Sequence, residues 1–437
     1  MTHREILKSI KTIKSPMFFS NYDEKTSSQS DNTDADDRSC PRIGAKSTTL
    51  NLADVIINEN NSEENYSKHD DDIQRAKPAA RNVQIRSTNH KRPLPQRISS
   101  SMIASNEDRY FLNNSLFFPD RESILVFGGV DPHEEYGRPG NTGKDIYRFK
   151  PDQNIWEFVG EIPRARHHHS VAYLRGRIYV VGGADPLEDK LHRKSIAVGN
   201  VWSYDPTTRT WFNEPGMLTA RKDFGLVVSH GKMYAIGGQG RNGIALKTVE
   251  AFDPSDLTWR EVQPMQTARV GPASVKYRDL IWVAGGMTKS KKELFSKDVE
   301  CYDPIKNLWL KAIPLRSPRC FASFYVVSDC LYMIGGASTM ENVTQSVDSI
   351  DVWDGNDCVW REHANMSIAR HGHSTGSIGD QLLIIGGVTT MFMKTLNNVE
   401  CYCCDIGKWM KGVSALPHPV SGHGTVSLPP ANLLINR

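Results

Sequence analysis

An arginine stands ten residues after a tryptophan five times in this chain: Arg166, Arg221, Arg269, Arg319 and Arg370 follow Trp156, Trp211, Trp259, Trp309 and Trp360. After a sixth tryptophan, Trp409, the equivalent place falls to Pro419 or Val420. A guanidinium is a planar fork of five donors, suited to carboxylates and to backbone carbonyls. Repeated at one position of a repeated unit, such forks could ring a common axis and hold an inserted acidic peptide. Each could instead pair with a carboxylate or carbonyl of its own fold, since residues common to every repeat often serve packing. The sequence leaves both occupations open.

Two further clusters invite metal chemistry and carry it poorly. In His167-His168-His169, neighbouring side chains on a strand point to opposite faces, so the three cannot easily converge on one ion. Cys401, Cys403 and Cys404 have no second ligand pair at zinc-like spacing. No nucleophile elbow, phosphate-binding Walker loop or HExxH helix is present, so neither a catalytic residue nor a cofactor site is assigned.

The elements that must position these residues form an internal repeat. Six apolar runs end in a double glycine, at 128–129, 182–183, 237–238, 285–286, 335–336 and 386–387. From each of the first five tryptophans named above to the second glycine of the next pair is 27 residues. Seven residues before each of the six tryptophans stands another aromatic: Phe149, Tyr204, Phe252, Tyr302, Trp353 or Tyr402. All the length variation falls between the double glycine and that aromatic, from 14 to 21 residues. Each unit of about 50 residues reads as four short strands, a to d, with the glycines ending b, the aromatic in c and the tryptophan in d. Such a sheet cannot bury both faces alone; arranged radially, each hides between two neighbours. The first unit lacks strand a, and residues 422–428 supply an extra one that would close the ring.

These motifs resemble kelch repeats, over residues 121–428, about 70% of the chain. The set is most similar to the propeller of kelch-like adaptor proteins, which implies an all-β, six-bladed kelch β-propeller closed by its C-terminal strand. Kelch-like adaptors usually carry BTB and BACK domains that recruit a cullin ubiquitin ligase; neither is recognisable in residues 1–120. The resemblance implies that the five arginines, with Arg164 as a helper, hold a partner peptide together with b–c loop residues. It also admits a cytoskeletal, actin-binding role, and an enzyme with its site at the channel mouth.

In an up-and-down blade the b–c and d–a loops share one face. The elastic b–c connections therefore mark a recognition surface, with specificity expected in the long loops Val130–Asp145 and Ala184–Gly199. Residues 1–105 hold no tryptophan and are rich in Asn, Ser, Asp and Lys, a composition that predicts a disordered extension; 106–120 leads into the domain and 429–437 is a tail. The charges nearly cancel, at 53 basic and 50 acidic residues, which gives no support to nucleic-acid or membrane binding. Eight cysteines without paired CxxC spacing suit a reducing compartment, cytoplasmic or nuclear. The expected function is thus a non-catalytic protein-interaction module, linked to a cullin-type ligase or to actin.

Overall fold

The computed structural model describes residues 122–429 apart from 193, 206–207, 289–293 and 341–342, together with the short strand Arg97–Ser99. Six four-stranded antiparallel sheets follow one another in chain order, a six-bladed β-propeller. Blade 1 takes strands b, c and d from Ser123–Phe127, Asp145–Lys150 and Ile155–Glu161. Its strand a is Gly424–Leu428, from the far end of the chain, paired Phe127 to Gly424 and Ser123 to Leu428. The expected ring closure is the one observed. In blade 2 the strands are Ser170–Leu174, Arg177–Val181, Val201–Asp205 and Thr210–Glu214. Blades 3 to 6 repeat that plan.

The double glycines work as their type suggests. All twelve take positive φ, near 53–65° at the first position and 82–103° at the second. A Cβ on Gly285 would lie 2.2 Å from the Arg319 carbonyl of the next blade, and one on Gly182 2.6 Å from that of Arg221. Only glycine allows that approach. Each second glycine uses it to donate to the facing carbonyl, as Gly286 N–H does to Arg319 at 2.9 Å.

Burial is organised by gap. Six apolar clusters lie one in each space between neighbouring blades; that between blades 4 and 5 joins Trp282, Val299 and Cys301 to Phe324, Leu331 and Trp353. The aromatic of strand c pairs across the hairpin with the tryptophan of strand d, with ring centroids 5.0–5.3 Å apart in all six blades. The indole N–H then crosses the gap: Trp259 donates to Pro215, Trp309 to Gln263 and Trp360 to Ile313. One residue thus packs its own blade and fastens it to the one before.

At the axis a second device appears. Two residues after each arginine position, His168, Asp223, Gly271, Phe321, Gly372 and Gly422 all take φ between 51° and 62°. Their amides bond head to tail, Asp223 to His168, Gly271 to Asp223, and so on round to His168 donating to Gly422, at 2.6–3.2 Å. The circle closes on itself through every blade.

The expected extension at 1–105, the lead-in at 106–120 and the tail beyond 429 lie outside the described residues, with one exception. Arg97–Ser99 forms a strand against the outermost strand of blade 2, Ile98 opposite Trp211, where a blade edge offers unpaired backbone groups.

A chain ending at Ser421 loses the strand carrying buried Val426 and Leu428 and also the Gly422 link of the axial circle. With each side chain worth about 1.5–3 kcal/mol of burial, its thermal midpoint should fall by on the order of 10 °C or more, or the cooperative transition vanish. Circular dichroism melts measure this; an unchanged midpoint would contradict the closure.

Candidate interaction face

The five arginines sit where the repeat spacing puts them, in the d–a segments, but not with the exposure that peptide binding requires. Each is 0–2% exposed. In blades 3 to 6 the guanidinium turns into its own blade. Nη1 donates to the first glycine of the pair, Arg221 to Gly237 and Arg269 to Gly285, both at 2.9 Å. Nη2 meets a carboxylate from strand c: Glu250 at 2.5 Å, Glu300 at 2.6 Å, Asp351 at 2.9 Å, and Glu400 for Arg370. The three glutamates also accept from the d–a backbone, as Glu250 does from Leu218 and Thr219, and Asp351 accepts from the Arg316 side chain instead. Arg166 differs, lying 4.6 Å over the Trp202 ring with Asp185 and Asn200 each 3.4 Å from its nitrogens. Burial pushes its guanidinium down to about 10.

The partner-binding role expected of Arg166, Arg221, Arg269, Arg319 and Arg370 is therefore corrected. Their Nη donors are engaged inside the blade, and of the two occupations the geometry supports the internal one. The repeats carry their own control. Blade 1 has Val420 in place of the arginine and Tyr147 in place of the acid, and blade 2, where Trp202 replaces the acid, is the one in which the arginine adopts a different setting. Arg164 is exposed.

The histidine triplet splits two against one. His167 and His168 meet, their Nδ1 atoms 2.5 Å apart, with His167 also reaching Asp189 at 2.8 Å and His168 within 3.7 Å of Asp223 on the axial circle, whereas His169 is buried against Gly128 of blade 1. His423 and His373 repeat the position of His169, each against the first glycine of the preceding blade. Burial drives His169 down to about 3 and His371 and His423 down to about 4. Cys401 and Cys404 are free and buried, and Cys403 is free and half-buried.

Between its charged loop residues, the b–c/d–a face shows apolar side chains to solvent. Among the described residues, eleven large hydrophobics are exposed, and seven lie here: Leu187, Leu191, Leu218, Ile244, Leu294, Met391 and Phe392. Ile155, Ile305 and Ile406 lie at the c–d turns opposite, and Met410 on an outer strand. Leu187 and Leu191 belong to the helix Pro186–His192, which the long b–c loop of blade 2 forms; one turn apart, they share a face at 50% and 67% exposure. Of the two loops that length singled out, Ala184–Gly199 carries Leu187 and Leu191, which read in the sequence as parts of a mixed-charge segment, and Val130–Asp145 carries none of the seven; the other five lie in segments not singled out.

The comparisons follow this geometry. A family model described as the KLHDC2/KLHL20/DRC7 Kelch-repeats domain matches residues 112–273, and the Kelch motif matches 268–312 and 369–414. Beta-scruin of Limulus polyphemus is 32% identical over 70% of the chain and 34% of its own length. Kelch-like protein 36 of Bos taurus is 25% identical over 70% of the chain and 40% of its own length. The chain thus spans about a third of the scruins it matches. The solved structure of YjhT superposes with a TM-score of 0.53 at 20% identity, over 63% of this chain and 94% of that one, a likeness of fold.

Two measurements test the site. Arg269→Ala leaves Glu300 buried without its cation and should cost about 3–5 kcal/mol in chemical denaturation, while Arg269→Met with Glu300→Leu should recover most of it. For the histidines, the folded-state pKa lies below the usual 6.5, so between pH 6.5 and about 4 the unfolded chain binds more protons. Stability is then full above pH 6.5 and lost as pH falls, by up to about 1.4 kcal/mol per unit for each such histidine. Thermal midpoints from pH 7.5 to 5 should drop, and His423→Phe should flatten that drop.

Proposed function

The chain is a kelch-repeat β-propeller protein, and on that premise we propose that it is a non-catalytic recognition module docking another protein on its b–c/d–a face. The observation that carries this is the gathering of exposed apolar side chains on the face where repeat length varies. Apolar anchors ringed by polar loops are what a protein interface needs, and single exposed residues scattered elsewhere are not. The neighbouring Glu188, Lys190, Glu134 and Arg138 form such a polar surround. Arg164, exposed on the same face, remains the arginine proposed to assist.

Within this reading the first partner to test is a cullin-type ubiquitin ligase with a substrate protein; the similarity to kelch-like proteins along the propeller supports it. Actin is the alternative that the kelch repeats themselves suggest. Either partner fits the cytoplasm or nucleus, to which free, largely buried cysteines are suited.

Proximity labelling with the wild-type chain, set beside a Leu187→Asp, Leu191→Asp, Phe392→Ser variant, tests the proposal. The variant should keep its melting behaviour, since exposed substitutions cost within about 0.5 kcal/mol, and should lose its partners at least about tenfold. Undiminished labelling would exclude this face. Cullin components among the recovered proteins, or pelleting with filamentous actin, would choose between the two partners.

A further inference from the structure

Five blades show how this fold holds a guanidinium, and blade 1 keeps the holder without the arginine. In blades 3 to 6 the arginine donates to the first glycine's carbonyl and to the carbonyl of the residue just before the shared start of strand c, as Arg221 does to Gly237 and Thr248. The side chain of that residue often adds an acceptor, through Thr248, Ser349 or Asn398. Blade 2 substitutes an aromatic ring, Trp202, for the strand-c carboxylate.

The counterparts in blade 1 are the Gly128 carbonyl, the carbonyl and carboxylate of Asp145, and the Tyr147 ring. Val420 occupies the arginine position. Its backbone makes the usual bonds, accepting from Gly387 at 2.9 Å and donating to Leu396 at 3.1 Å. Its side chain stops against Gly129. Beyond it remains a cavity of about 20 Å³, lined by Gly128, Asp145, Tyr147, His418 and Val420. The arginines are buried, but Val420 is half-buried, so the notch reaches solvent on the b–c/d–a face. The exposed His418 ring lies over it, against Gly140.

We propose that this notch receives the guanidinium of an arginine side chain presented by a docking partner. Two carbonyls and a carboxylate match a planar fork, and Tyr147 stands where Trp202 stacks on Arg166. Asp145 already accepts from Thr142 at 2.7 Å and from the Tyr147 hydroxyl; a carboxylate offers about four lone-pair sites, so these two neutral donors fix it and leave room for a guanidinium. The space as it stands suits about one water, so His418 swings outward on entry, a change its exposure makes easy. Lysine, a point charge without the fork, fits less well. The inference rests on the b–c/d–a face being the docking face.

Calorimetric titration of the full chain with Nα-acetyl-arginine methylamide at low salt, with the lysine analogue beside it, is the test. Saturable millimolar binding is expected, about tenfold weaker for lysine, and lost in Asp145→Asn and in Val420→Arg, where the chain fills its own notch. Val420→Arg should also melt on the order of 2 °C higher than wild type. No binding to wild type, or equal binding to Val420→Arg, overturns the proposal; if Val420→Arg fails to fold, Asp145→Asn decides alone. Loss of amide binding with partner labelling unchanged removes the partner's arginine from the notch while the docking face stands. Labelling insensitive to the Leu187, Leu191 and Phe392 changes removes that face instead.

Discussion

Six amides, one per blade, hydrogen-bond in a circle about the axis, and the rest of the molecule is arranged so that this circle can close. Each link needs its residue at positive φ, with its neighbours' backbones brought within bonding distance. The double glycines provide that proximity one step further out, where a Cβ on the first would strike a carbonyl of the adjoining blade and one on the second would crowd its own blade's d–a segment. The tryptophan N–H contacts provide it at the rim. Blade-to-blade attachment is thus polar and directional at the axis and the edge, with an apolar layer between.

Strain is accepted at the centre. Three of the six circle positions are glycine, for which φ near 60° costs little; His168, Asp223 and Phe321 adopt it too. Aspartate and histidine tolerate that region better than a phenylalanine. The Phe321 ring lies where a Cβ on Gly271 would stand, and the His168 ring where one on Gly422 would. Large side chains at the axis are thereby accommodated by glycines one blade back.

Much of this was legible in the chain itself. Fixed spacing from tryptophan to double glycine counts the blades, because strands d, a and b and their short turns tolerate no insertion. The orphan segment at 422–428 announced closure, and the strand forms at 424–428. The arginines were placed correctly and assigned poorly. Their acidic partners lie 29, 31, 32 and 30 residues on, across the elastic b–c loop, so no constant spacing marks the pair. A signal did exist: an acid stands two residues before the strand-c aromatic in blades 3 to 6, and disappears in blade 1 together with the arginine. The axial circle was harder to see, since only the glycines at 271, 372 and 422 hint at it and the other three members share no chemistry.

The pairing of Ser123–Phe127 with Gly424–Leu428 also governs how the protein is made. About 300 residues separate the two strands, so the contact is among the most distant in the chain and is costly to nucleate. During synthesis five blades can assemble while the first still shows a bare inner edge to solvent. Only after the ribosome has released the last of these segments can that edge be covered, and until then the nascent chain is a candidate for chaperone capture or for edge-to-edge association with its own copies.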